Sequence, residues 1–247
     1  MSIKNIIVKI GGKILEDSES IESTISQLKG ILHRNSLISK IIIIPGGGSY
    51  ANFIRKIDIV LNIGDNLAHW MAILAMDYNG IELNKKFSDI EKISDFEQLE
   101  KVLSEDNKNR IFIFGPFEYL YNNDPLPHSW EVTSDSITLY IASKLKLKEC
   151  FLIKNIDGIF IKGQKEAIQE ISIRDYERLK RENKFAEFTN NSNNFKKSQP
   201  IDPYLLELID KFKIPCIILN GTKTNRILDY FHHSRKKKKI FTIIKSD

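Results

Sequence analysis

Only two of the 247 residues are cysteines, Cys150 and Cys216. That is too few for a disulfide framework, and their separation matches no paired metal-binding spacing. Each opens an apolar run, Cys-Phe-Leu-Ile and Cys-Ile-Ile-Leu, so both read as buried thiols in strands. No apolar stretch approaches the ~20 residues of a membrane span, and the amino terminus lacks a signal-peptide apolar region. The expectation is a cytoplasmic protein with no membrane partner. Excess charge is scarce outside one place. The net charge is +5, and the run Arg235-Lys-Lys-Lys-Lys239 supplies five positive charges, leaving the rest near neutral. The basic balance is therefore local, reads as a solvated turn, and gives no nucleic-acid face. Two phosphate signatures are also missing. Nothing matches G-x-x-x-x-G-K-[ST], which excludes a P-loop, and nothing matches G-x-G-x-x-G, which leaves a dinucleotide site a remote reading.

What is present is ordinary for a globular chain, with 42% apolar and 28% charged residues. Short runs rich in β-branched residues recur: Ile6-Ile-Val-Lys-Ile10, Ile41-Ile-Ile-Ile44, Ile111-Phe-Ile-Phe114, Cys150-Phe-Leu-Ile153 and Cys216-Ile-Ile-Leu219. Near-continuous apolar strands mark a sheet buried on both faces, which is the habit of parallel sheets covered by helices. A last run, Ile240-Phe-Thr-Ile-Ile244, predicts an edge strand. Helices are predicted over residues 18–35 and after Gly48, where Ala51, Ile54, Ile57 and Leu61 share a face. Others are predicted from Asp65 as N-cap to a stop at Gly80, over 133–147, and from Asp202-Pro203 onward. Residues 180–199, rich in Asn, Lys and Ser, read as a loop or lid. The whole predicts an α/β fold: a single domain, 1–247, with a mainly parallel central sheet and helices on both faces. Two lobes divide near residue 148.

Four segments can carry chemistry. In Val8-Lys-Ile-Gly-Gly12, Lys9 stands at the end of a buried strand, at the carboxyl edge of the sheet where ligands bind in open α/β folds. Gly11 and Gly12 let backbone N–H groups approach an anion. In Ile44-Pro-Gly-Gly-Gly-Ser49, a strand runs through Gly46, Gly47 and Gly48 into a helix, a unit suited to phosphate or carboxylate. In Ser129-Trp-Glu-Val-Thr-Ser-Asp-Ser136, the residues Thr133, Ser134 and Asp135 open a helix, where capping alone would explain them. In Ile153-Lys-Asn-Ile-Asp-Gly158, a strand meets an Asp-Gly pair that by itself reads as a hairpin turn.

Taken together, in this order, these segments resemble the amino acid kinase family across nearly the whole chain. The match is poorest over residues 79–109 and 180–200. Within the family, His69-Trp-Met-Ala-Ile-Leu-Ala-Met-Asp77 and Leu126-Pro-His-Ser-Trp-Glu-Val-Thr-Ser-Asp135 are similar to the branch that serves methanofuran biosynthesis. Its acceptor, an aminomethyl-furan phosphate, is itself a phosphate ester.

The resemblance implies an ATP-dependent kinase that uses Mg2+ held largely by the nucleotide and not by a dedicated set of protein ligands. Lys9 and Asp135 would be catalytic, with Asp135 orienting Lys9. Gly11, Gly12, Lys154, Asp157 and Gly158 would bind ATP and its phosphates. Gly46, Gly47, Gly48, Thr133 and Ser134 would bind the acceptor. The acceptor lobe would be 1–148 and the nucleotide lobe 149–247, and a homodimer or higher homo-oligomer is expected, with helix 65–79 as an interface. A carboxylate kinase and a non-catalytic nucleotide- or oxoanion-binding relative stay open as alternatives.

Two departures from the family pattern stand out. Lys13 replaces a common serine, and Gln199-Pro-Ile-Asp-Pro-Tyr204 stands where many relatives have a Gly-Gly-Met-x-x-Lys loop. Lys154 is the candidate for that loop's missing lysine, and Asp202 reads first as a helix cap. His69 reads as a packed core residue, His128 is open, and Trp70 and Trp130 read equally as pocket walls or core filling.

Overall fold

The computed structural model describes residues 4–34, 37–105, 109–186, 199–232 and 239–247. The chain opens with β1 (Lys4–Ile10), α1 (Gly12–Leu15), α2 (Ser18–Arg34), β2 (Ile38–Pro45), α3 (Gly48–Leu61) and α4 (Asp65–Lys86). It continues with β3 (Glu91–Ile93), α5 (Phe96–Ser104), β4 (Arg110–Phe114), α6 (Phe117–Asn123) and α7 (Ser134–Lys144). Then come β5 (Cys150–Lys154), β6 (Glu170–Ser172), α8 (Ile173–Arg181), α9 (Tyr204–Phe212), β7 (Cys216–Asn220), α10 (Arg226–Phe231) and β8 (Thr242–Lys245).

The strands form one sheet of order β3-β4-β2-β1-β5-β7-β8-β6. Every pairing is parallel except β7 with β8. The central strands are buried along nearly their whole length, as their unbroken apolar runs require. Their alternate residues feed two cores. One face packs Ile7, Ile42, Ile44, Phe112 and Leu152 with α7 and α9. The other packs Ile6, Val8, Ile41, Ile43 and Phe151 with α2. Helices on both faces thus enclose a mainly parallel sheet, the α/β architecture expected from the sequence.

Four expectations need correction. β8 is not an edge, because it sits between β7 and β6, and the three-residue β6 takes the edge. α4 does not stop at Gly80 but runs on to Lys86, and its N-cap is Gly64. Gly80 serves close packing instead, since a Cβ there would lie 3.3 Å from Ile113 Cγ2 and 3.5 Å from Pro45 Cγ. On α3 only Ile54 is buried, and Leu61 is 68% exposed. Lys180 and Arg181 belong to α8, and Phe185 bridges to Ile161, so the supposed loop begins later; its residues 187–198 lie outside the described residues. The basic run also lies mostly outside them, apart from Lys239, whose ammonium donates to the Tyr230 carbonyl at 2.7 Å.

Candidate active site

Parallel β1 and β2 end side by side, with Lys9 paired to Ile44 and Ile10 to Pro45. This register brings the two glycine turns into contact. A Cβ on Gly12 would lie 2.4 Å from Gly48 Cα, and one on Gly46 would lie 3.3 Å from Lys9 Cε. Gly12 therefore admits no side chain, and Gly46 leaves little room for one. Two of the glycine amides are already engaged: Gly11 N–H donates to the Ile153 carbonyl and Gly46 N–H to the Ile10 carbonyl, each at 2.9 Å. The idea that the Gly11 amide holds a phosphate is thereby corrected, because that amide extends the β1–β5 ladder. The N–H of Ser49, in the first turn of α3, is taken by the Glu16 carboxylate.

Beside this junction lies a three-membered charge cluster. Asp135, in the first turn of α7, is 2% exposed. Its Oδ1 is 2.9 Å from the Lys9 ammonium and its Oδ2 accepts from the Lys154 ammonium at 2.5 Å. Burial works to raise the Asp135 pKa, but the Lys154 and Lys9 cations outweigh it and hold the carboxyl well below the usual range. Burial lowers the pKa of Lys154, and the Asp135 charge opposes that. Two ammonium groups against one carboxylate leave an excess positive charge at the carboxyl edge of the sheet. Lys154 is therefore part of the Lys9–Asp135 cluster, which its assignment to the nucleotide alone did not anticipate.

Asp202 accounts for the helix starts nearby. Its Oδ2 accepts from Thr133 N–H at 3.0 Å, Thr133 O–H at 2.7 Å and Ser136 N–H at 3.0 Å. Its Oδ1 accepts from Ser136 O–H at 2.5 Å and Leu205 N–H at 2.9 Å. It caps two helices at once, which is the structural role favoured for it from the sequence. Thr133 is the N-cap of α7, its hydroxyl shared between Asp202 and the Asp135 amide.

A cavity of about 460 Å³ opens from the glycine junction and runs between α3, α4 and the segment 129–134. Lys9, Gly12, Lys13, Gly46, Gly47, Gly48, Thr133 and Ser134 line it, so Lys9 and most of the expected acceptor residues face one space. Residues that sequence reasoning missed line it too: Glu16, Asn52, Arg55 and Asp65. Asn52 and Arg55 follow Gly48 by four and seven residues, the spacing of one helix face, and that was the signal available. The Arg55 guanidinium lies 4.5 Å over the Trp130 ring, whose indole N–H donates to Asp58 at 2.8 Å. The guanidinium is partly desolvated, which lowers its pKa, and its Nε has no hydrogen-bond partner among the described residues.

His69 and Trp130 face the cavity, whereas Trp70 stands behind it against Tyr121, Phe117 and His128. On the far side of β5, the Asp157 carboxylate is 3.0 Å from the Arg226 guanidinium. Gly158 has φ +125°, and a Cβ there would strike Thr242 Oγ1 at 2.6 Å. The Asp-Gly pair therefore does not close a hairpin on β5, whose two partners are both parallel.

A parallel α/β sheet with paired lysines and glycine turns at its carboxyl edge defines a class that handles anionic groups. The sequence model of the amino acid kinase family matches residues 4–220, and the chain belongs to that family. It is 32% identical over 223 residues to the [5-(aminomethyl)furan-3-yl]methyl phosphate kinase of Methanocaldococcus jannaschii, covering 90% of this chain and 91% of the relative. It is 26% identical over 229 residues to the uridylate kinase of Sulfurisphaera tokodaii, covering 92% and 94%. Its fold is similar to the UMP kinase of Ureaplasma parvum, with TM-score 0.67, 20% identity and coverage of 99% and 100%. It is also similar to the uridylate kinase of Archaeoglobus fulgidus, with TM-score 0.60, 17% identity and coverage of 98% and 100%. The chain is a phosphotransferase. Among the described residues, no helix is long and apolar enough to cross a membrane.

Proposed function

We propose that the protein transfers the terminal phosphoryl group of ATP to a small phosphate ester of the aminomethyl-furan phosphate type. The acceptor would lie on residues 1–148 and the nucleotide along 149–247. The observation that carries this reading is the meeting of the Lys9–Asp135–Lys154 cluster with the glycine junction at the mouth of one cavity. The described residues lining that cavity fall between positions 9 and 137, which supports an acceptor side distinct from the β5–β7 side.

Phosphoryl transfer asks a protein mainly to position its reactants and stabilise charge. Lys9 meets the group in flight, and Asp135 fixes the Lys9 and Lys154 ammoniums so that neither must reorganise during reaction. The α3 N-terminus at Gly47 and Gly48, with Arg55, attracts the acceptor's anionic end. Thr133 and Ser134 border that end. Gly12 keeps the two turns in contact, and Gly11 fixes β1 to β5. Lys154 also faces the nucleotide phosphates, filling the role of the absent late lysine. Asp157 and Gly158 lie along the nucleotide, Gly158 through its backbone only.

An acceptor phosphate oxygen is already ionised near neutral pH, so its attack needs no general base. Mg2+ would arrive on the ATP phosphates and neutralise their charge.

The protein works in the cytosol on this reading, in keeping with two free, buried thiols. It also self-associates. The outer faces of α3 and α4 leave Tyr50, Phe53, Ile59, Val60, Leu61, Leu67, Leu74, Tyr78 and Ile81 between 42% and 78% exposed. These nine present on the order of 1,000 Å² of apolar residue surface, against the ~800 Å² per partner of a standard interface.

The test is turnover of ATP with a panel of phosphate esters that includes UMP and the aminomethyl-furan phosphate. Lys9→Ala should lower kcat by at least about 100-fold while leaving the circular-dichroism spectrum intact. Unchanged turnover in Lys9→Ala, or no acceptor-dependent transfer by the unmodified protein, overturns the reading.

A further inference from the structure

The cavity has a second end, which the phosphoryl chemistry leaves unused. α3 runs away from the glycine junction and, after the short connection at residues 62–64, α4 returns toward it. The Ala72 carbonyl lies 3.5 Å from the position of a Cβ on Gly47, which sets the level of the junction along α4. At 1.5 Å per residue, His69 stands about 5 Å and Asp65 about 10 Å farther from that junction. Cα–Cβ bonds tilt toward a helix N-terminus, so Arg55 on α3 leans back toward the junction. His69 on α4 leans away from it, toward Asp65.

His69 is 7% exposed, lines the cavity, and makes only ring contacts among the described residues. Its ring stacks at 4.4 Å on His128, whose Nε2 lies 2.7 Å from the Asp124 carboxylate. Burial, aided by His128, pushes the His69 pKa down to about 4. The imidazole is therefore neutral near pH 7 and keeps one ring nitrogen as a hydrogen-bond acceptor. A cavity-lining acceptor that no protein donor occupies is free to take an N–H from a ligand.

We propose that His69 and Asp65 form an ammonium subsite that reads the amine of the acceptor while its phosphate occupies the Arg55 and glycine end. The neutral imidazole accepts an N–H, Asp65 balances the charge, and the His128–Asp124 pair holds the imidazole plane. The cavity is thereby polarised for a dipolar acceptor, anionic at one end and cationic at the other, and UMP would leave His69 without an ammonium partner. This inference rests on the proposed acceptor site, and it is tested by binding, apart from catalysis.

The experiment compares two probes by calorimetry: the furan methyl phosphate carrying an aminomethyl arm and the same ester without it. The unmodified protein should prefer the amine-bearing probe by at least about tenfold in Kd, or about 1.4 kcal/mol. In His69→Phe, which keeps the stack on His128 but removes the acceptor nitrogen and leaves Asp65, that preference should fall while the amine-free probe binds as before. His69→Gln should restore part of it. A preference undiminished in His69→Phe, or missing from the unmodified protein, overturns the subsite. Tight, selective binding without transfer would instead overturn the kinase reading and leave the subsite standing.

Discussion

Replacement of Asp135 by asparagine tests the charge cluster most directly. In the native protein one carboxylate, 2% exposed, faces two ammonium groups at 2.9 and 2.5 Å. Asp135→Asn keeps the volume and removes the charge, leaving two cations buried side by side. Breaking a buried ion pair by removing one partner costs about 3–5 kcal/mol. For a chain of this length that is on the order of 10 °C in Tm. Burial already lowers the Lys154 pKa, and loss of Asp135 removes the contact that opposes this. The lysine pKa in the folded variant must then fall further below its unfolded value of about 10.4. Between those two values the unfolded chain binds more protons than the folded one, so the variant gains stability as pH rises. Denaturant unfolding at pH 7 and pH 9.5 should therefore show a penalty that shrinks at the higher pH. ATP should also stabilise the variant more than the parent, since its phosphates replace the missing anion, while kcat falls at least about 100-fold. A pH-independent penalty, or one under about 1 kcal/mol with activity retained, would refute the reasoning.

Gly12→Ala would set a Cβ 2.4 Å from Gly48 Cα, forcing the two turns apart. The expected result is a loss of about 1–3 kcal/mol, as for an overpacked site, together with a larger drop in kcat/KM. Denaturation and steady-state kinetics check both. For His69, whose folded pKa is about 4 against 6.5 unfolded, the unfolded state binds more protons across that window. Stability should fall by at most about 3 kcal/mol as pH drops from 6.5 toward 4. The groups that bear on it are His128 stacked on its ring, Asp124 behind His128, and Asp65 one turn away. His69→Phe should flatten this acid limb, and an unchanged limb would count against the assignment. Leu74→Lys, in the exposed stripe of α4, should shift sedimentation toward the monomer while leaving the monomer folded.

The strands were legible because Ile41 to Ile44 and Cys216 to Leu219 are unbroken apolar runs, a pattern that a parallel sheet buried on both faces produces. The contact of the two glycine turns followed from the parallel register of β1 and β2. Arg55 is hidden in the sequence because the polar residues of its helix look like an ordinary solvent face, and Asp65 reads there as a helix cap and not as a cavity residue. Their cavity exists only once α3 and α4 pack. α4 also carries apolar side chains on two faces, Ile73 and Met76 inward and Leu74 and Tyr78 outward, which blurs its helical period and makes Gly80 look like a stop. The Lys154–Asp135 contact was beyond reach for another reason. It depends on where β5 ends relative to α7, and no local pattern encodes that offset.

Asp202 acts as a rivet between parts of the chain nearly seventy residues apart. Sliding α9, with Asp202 at its start, away from the wall that Thr133 contributes would break the bonds from Thr133 and Ser136 together. A buried carboxylate stripped of those donors has no water waiting to replace them. The opposite bank of the cavity, formed by α3 and α4, takes no part in those bonds, so a change in its position would widen the cavity with the Asp202 rivet intact. A second copy seated on the outer face of that helix pair would bear on the width of the cavity behind it.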